Sequence, residues 1–179
     1  MKIALIFTGF LFIGVVSAVG KDIYSKTTHI PLVPELDLNR YVGTWYEIAR
    51  FPHRFERDLT RVTATYALRD DGKVDVINRG FKAGDPDRMS EAKGKAWVPD
   101  PDVPARLKVS FFWPFAGDYR VIALDKDYHY AMVISSSWKY FWILCRQPTM
   151  ADETYHRLVD MAAAYGFNTD KIIKVPQDN

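Results

Sequence analysis

The sequence predicts an all-β domain of eight short antiparallel strands, an up-and-down barrel or a sandwich, followed by a single helix. Three observations carry this. The stretch Asp37-Leu38-Asn39-Arg40-Tyr41-Val42-Gly43-Thr44-Trp45-Tyr46-Glu47-Ile48-Ala49-Arg50 runs from a turn-prone acidic start through Gly-x-Trp into an alternating aromatic segment. Short alternating segments then follow one another, separated by Asp-Gly and proline-rich turns. The hydrophobic period changes from that of a strand to that of a helix only once, between Thr149 and Gly166.

The first strand covers residues 44–50, and residues 51–58, which mix rings, a proline and basic groups, form a long loop. Residues 61–68 are rich in β-formers and end at Asp70-Asp71-Gly72, a hairpin signal. On the return strand, 73–79, Val74, Val76 and Asn78 share one face. A polar connection over 82–88 leads to a strand at 92–97, and Pro99, Pro101 and Pro104 enforce a turn. Residues 106–111 alternate most clearly, placing Leu107, Val109, Phe111 and Trp113 on one face. Segments 119–124, 130–135 and 140–146 complete the eight. Thr149-Met150-Ala151-Asp152 reads as a capping box for a helix carrying Tyr155, Leu158, Val159 and Ala162 on its apolar face, and 171–175 adds a brief last strand.

At 179 residues the chain suits one domain with a sizeable core. Its net charge of +2, with acids and bases interspersed, leaves no footprint for nucleic acid. Lys2, the apolar run 3–16 and Val16-Ser17-Ala18 read as a secretory signal peptide over residues 1–18, the run being shorter than the ~20 residues that span a bilayer. Residues 19–34, without periodicity, read as a flexible arm, and 35–179 as the folded domain. Cys145 is the only cysteine, so the core is built without an internal disulfide.

Gly43-Thr44-Trp45, Asp127-Tyr128 and Arg146, in this order and register, resemble the three signature regions of the lipocalins, and the resemblance covers residues 37 to about 175. Residues 43–51, 66–72, 107–112 and 142–146 are similar to the bacterial branch of that family. Lys126 departs from the threonine common in the second signature. The resemblance implies an eight-stranded up-and-down antiparallel β-barrel with one C-terminal α-helix packed outside. It also implies location in the bacterial cell envelope. Because no cysteine lies near the end of the apolar run, the expected location is the periplasm or outer-membrane association, with no lipobox cysteine for a lipid anchor.

In the lipocalin arrangement Gly43, Trp45 and Arg146 are structural: the indole crosses the closed end and the guanidinium stacks on it. Tyr140, Trp142 and Leu144 share the face of Arg146. The resemblance assigns Tyr66, Val74, Val76, Asn78, Leu107, Val109, Phe111, Tyr119, Val121, Ala123, Ala131 and Val133 to the interior. The candidate ligand-binding residues are therefore Tyr66, Val76, Asn78, Leu107, Val109, Phe111, Tyr119, Val121, Val133, Tyr140 and Trp142. Phe51, Arg54, Phe55 and Trp113 are placed at the cavity mouth, with Phe115 and Arg57 nearby. Alternation alone reads equally as a packed core or as a cavity.

The leading expectation is binding, storage or transport of a hydrophobic ligand, a fatty acid or lysophospholipid, without catalysis and without a cofactor. An enzyme acting on a lipid or isoprenoid, or a haem or pigment carrier, are the alternatives. No nucleophile–base arrangement is legible. Cys145 has the parity opposite to Arg146 and so should face outward, while Glu47 shares the parity of Trp45. His29, His53, His129 and His156 lack metal-ligand spacing. Exposed strand faces and loop aromatics leave room for peripheral membrane association or a homodimer.

Overall fold

The computed structural model describes residues 26–178. The signal-peptide reading and the first part of the arm lie outside the described residues. Among those described, a one-turn helix α1 (Leu38–Tyr41) leads into β1 (Gly43–Arg50), β2 (Leu59–Leu68), β3 (Val74–Lys82), β4 (Asp85–Trp97), β5 (Arg106–Phe112), β6 (Phe115–Leu124), β7 (Tyr130–Ile134) and β8 (Phe141–Cys145). Helix α2 (Asp152–Ala164) and the two-residue β9 (Ile173–Lys174) follow.

Each strand pairs antiparallel with the next, and β1 pairs with both β8 and β2, closing the eight strands into a barrel. The closure is uneven. β1 pairs with β2 only through Gly43–Tyr46, because a bulge between Glu47 and Ala49 turns the upper half of the strand toward β8. The chain after α2 covers the gap. β9 pairs with β1 at Ala49 and Arg50, Val175 N–H donates to Ile48 O at 2.9 Å, and Gln177 Nε2 donates to Glu47 O on β1 and Val62 O on β2.

Two apolar cores lie on the two sides of the barrel wall. Trp45, Tyr66, Val76, Leu107, Val121, Val133 and Leu144 belong to the inner one. Outside, Leu158 and Ala162 of α2 cover Met132, Ile134, Phe141 and Ile143. Strands β7 and β8 are therefore buried on both faces, which explains their nearly continuous apolar runs.

Four expectations are corrected. The polar connection over 82–88 is mostly strand: β3 and β4 form a tight hairpin in which Lys82 pairs with Asp85. The capping box does not form, since α2 starts at Asp152 with Ala151 at its N-cap and no side-chain cap. The described part of the arm, 26–34, is not free. Thr27 is fully buried with its hydroxyl on Ser135 O, Ile30 is buried, and Arg120 donates to the Thr28 and Ile30 carbonyls. Ala123 joins the outer core instead of the interior, because the β6–β7 register shifts between Val121 and Ala123.

Candidate functional site: the barrel interior

The closed end is sealed by a polar cap on an aromatic floor. The Arg146 guanidinium lies 3.9 Å from the Trp45 ring and donates to the carbonyls of Arg40, Tyr41, Val42 and Thr44 at 2.8–3.0 Å. A planar group with five N–H donors is the side chain that can serve so many acceptors at once. Trp45 Nε1 donates to Tyr41 O at 2.8 Å. Gly43 has φ +97°, and a Cβ there would lie 3.2 Å from Arg146 Nη1, so glycine is required both for the backbone and for the approach of the arginine.

Above the indole, three phenols form a chain: Tyr41 and Tyr119 share a 2.6 Å hydrogen bond, and Tyr66 donates to Tyr119 at 3.1 Å. Burial raises the pKa of all three, so they remain neutral. The space they leave beside Val74, Leu107 and Val109 is only about 10 Å³, barely enough for one water. The floor is therefore packed.

The wall changes character toward the other end. Tyr66, Val76, Leu107, Val121 and Val133 are buried. Farther from the floor, Phe111 and Trp142 pack against the same inner cluster yet stay partly accessible, and Asn78, two residues beyond Val76, is half-buried with its buried Oδ1 unpartnered. Tyr140 is half-buried and stacks on Trp142, with centroids 5.9 Å apart and planes 10° apart.

Sequence reasoning did not find a buried polar knot beneath the mouth. Glu47, Arg50, His53 and Glu56 recur every three residues, a spacing that a plain strand would scatter over both faces. The β1 bulge and a 3₁₀ turn at Arg54–Glu56 gather them instead. Arg50 donates to Glu47 Oε1 at 2.6 Å and to Glu56 O at 2.7 Å, while Glu56 Oε2 lies 2.9 Å from His53 Nε2 and accepts from Trp142 Nε1 at 3.4 Å. His53 packs edge-on against Tyr140 and Trp142, both with centroids 5.5 Å away. Burial, then the neighbouring Glu56 charge, push the Glu47 carboxyl well above the usual range despite Arg50. Burial opposes ionisation of Glu56 as well, but His53, Arg50 and the Trp142 N–H together outweigh it and lower its pKa. The two acids are thus shifted in opposite directions, Glu47 toward the protonated and Glu56 toward the ionised form.

The residues expected at the mouth separate. Arg54 and Phe55 are exposed in the β1–β2 loop, the guanidinium 4.7 Å from the ring. Trp113 is 83% exposed at the tip of the β5–β6 hairpin and lines nothing. Phe51 is misplaced by the sequence reading: it is buried in the outer core against Phe141 and Phe167, because the same bulge reverses its parity. Cys145 lies in that outer core with Sγ 3.6 Å from Thr149 O. Asp125, Asp127 and His129 hold ligand atoms within 4.8 Å of one another, a grouping the sequence reading passed over; Asp125 Oδ2 there caps the turn by accepting from Asp127 and His129 N–H.

A closed antiparallel barrel, sealed at one end, with partly accessible rings toward the other and lined inside by apolar and aromatic groups, has the architecture of barrels that hold one small ligand. Residues 36–177 match the lipocalin-like domain family, and the chain belongs to the lipocalins. It is 49% identical over 150 residues to the outer membrane lipoprotein Blc of Citrobacter freundii, covering 83% of each chain. It is 33% identical over 162 residues to bovine apolipoprotein D, covering 86% of this chain and 84% of the relative. Among solved structures, insecticyanin of the tobacco hornworm Manduca sexta superposes with a TM-score of 0.67 at 19% identity, covering 84% and 85% of the two chains. Lipocalins generally bind and transport small hydrophobic molecules rather than transform them. The Blc name corrects one expectation. Relatives sharing half their residues with this chain are outer membrane lipoproteins, which overturns the reading of an envelope protein without a lipid anchor; export itself is supported.

Proposed function

We propose that this lipocalin binds a single-chain lipid, a fatty acid or lysophospholipid, and stores or transports it in the cell envelope. The observation that carries the reading is the gradient along the interior: a packed phenol floor, a buried aliphatic wall, then half-accessible Phe111, Trp142, Tyr140 and Asn78 toward the open end. An acyl chain would lie along Val76, Leu107, Val121 and Val133, ending above Tyr66 and Tyr119. Its polar end would lie among Asn78, Tyr140 and the Glu56–His53 pair, below Arg54 and Phe55. The outer membrane naming of the Blc relatives supports a lipid ligand and a place of action at a membrane surface, where such a ligand would be collected or delivered.

Catalysis is no part of this reading. Glu47 is committed to Arg50, and Cys145 lies on the far side of the wall from the interior. Native mass spectrometry of protein purified from the envelope should show a bound lipid, and titration of delipidated protein with lysophospholipid should change Trp142 fluorescence. Absence of both overturns the proposal.

A further inference from the structure

The barrel is polar end to end in a way that its small net charge conceals. The hairpin turns at the closed end carry Asp70, Asp71, Asp100, Asp102, Asp125 and Asp127 against Arg69, Lys73 and Lys126. At the open end Arg54, Arg57, Lys82 and Lys139 stand against Asp58 and Asp85, and the next pair along β4, Asp87 and Arg88, cancels. Glu56 adds nothing to that surface, being buried with Arg50 and His53. With Asp37, Arg40 and Arg146 of the closed end added, the acids there still outnumber the bases, whereas the open end stays net basic.

The same basic end carries the largest exposed rings. Phe112, Trp113 and Phe115 are 74%, 83% and 78% exposed, and every residue from Phe112 to Gly117 is solvent-facing without a charge among them. Phe55, 58% exposed, adds a fourth ring from the β1–β2 loop of that end. Contiguous exposed rings on a turn, with bases around them, combine two affinities: apolar groups that enter the headgroup boundary and cations that are drawn to an anionic surface.

We propose that the protein docks mouth-down on an anionic lipid bilayer. The Phe112–Phe115 tip inserts at the interface, and Arg54, Arg57, Lys82 and Lys139 face the headgroups. The acidic turns of the closed end are repelled by the same surface, so the charge distribution sets the orientation as well as the contact. This deepens the reading of a lipid carrier at a membrane, and docking is measurable whatever the barrel holds.

The test uses the full chain and vesicles whose phosphatidylcholine carries bromine on the acyl chains, with or without phosphatidylglycerol. Five tryptophans contribute, and a bromolipid entering the barrel would also reach Trp142, so the readout is the part of the quenching that Trp113→Phe removes while keeping a ring at the tip; that part reports insertion of Trp113. Quenching is expected on anionic vesicles, weakening with added salt and on neutral vesicles. The triple variant Phe112→Ser, Trp113→Ser, Phe115→Ser should lose co-sedimentation with anionic vesicles, and Arg54→Glu with Arg57→Glu should weaken apparent vesicle affinity about ten-fold or more. Equal co-sedimentation of wild type and triple variant, or equal Trp113 quenching on neutral and anionic vesicles, overturns the proposal. So does a triple variant that changes only the oligomeric mass in sedimentation, which would make a second copy the partner of the rings. Ligand titration of the triple variant separates the two proposals: it should still bind lysophospholipid, and loss of docking with retained binding leaves the carrier reading intact.

Discussion

Two arginines with opposite legibility define the residue scale. Arg146 and Trp45 lie a hundred residues apart and were paired through the family resemblance, each sitting in a recognisable motif. Arg146→Lys should lower stability by about 2–3 kcal/mol, since an ammonium cannot serve the carbonyls of Arg40, Tyr41, Val42 and Thr44 together. A lower urea midpoint with an unchanged slope is the expected result. Arg50 was not legible, because alternation would turn it outward and only the bulge after Glu47 brings it in. The knot it anchors carries a pH signature. Folded Glu47 holds its proton to higher pH than in the unfolded chain, so its stabilising contribution is complete below about pH 4.5 and is lost as pH rises through the folded value. Glu47→Gln keeps an acceptor for Arg50 but removes this loss. Its stability relative to wild type should improve from pH 4.5 to pH 8, measured by urea unfolding at each pH; a constant difference would show that Glu47 titrates alike in both states.

At the element scale, the strands and the helix were readable because their apolar periods differ, whereas the ends of strands were not. The β3–β4 hairpin was read as a loop because polar residues 82–88 show no alternation, yet their backbone pairing continues to Asp85. What holds β4 in place is partly the absence of a side chain. A Cβ on Gly94 would meet Ser110 O at 2.7 Å and the Phe111 ring at 2.8 Å, and a strand carbonyl cannot withdraw without breaking its ladder. Gly94→Ala should therefore destabilise by about 1–3 kcal/mol despite the better intrinsic strand preference of alanine. Gln177 was likewise invisible from sequence, being polar and near the end of the chain. Its amide bridges Glu47 O and Val62 O across the seam where β1 and β2 part. Gln177→Ala leaves both carbonyls short of a donor and should cost about 1–2 kcal/mol, with amide exchange rising first along the upper half of β1.

For the whole molecule, alternation tells which side chains face inward but not whether they meet one another or a ligand. The two outcomes differ in volume, a property no pattern of residues encodes. The floor is in contact through Trp45, Tyr41 and Tyr66, while farther up Phe111 and Trp142 stay partly accessible and the buried Asn78 amide oxygen has no partner, so position 78 is where the two outcomes are tested. Asn78→Phe distinguishes a filled barrel from a hollow one. In a packed core the added ring would force neighbours off their rotamers and cost about 1–3 kcal/mol. In an open interior it meets space and removes an unsatisfied polar atom, so the urea midpoint should hold or rise. The same ring would occupy the room proposed for the acyl chain, and lysophospholipid affinity should fall about ten-fold or more, since a clash in the cavity readily exceeds the ~1.4 kcal/mol that such a change represents. A destabilised variant with unchanged affinity would place the ligand elsewhere and make the upper barrel a core.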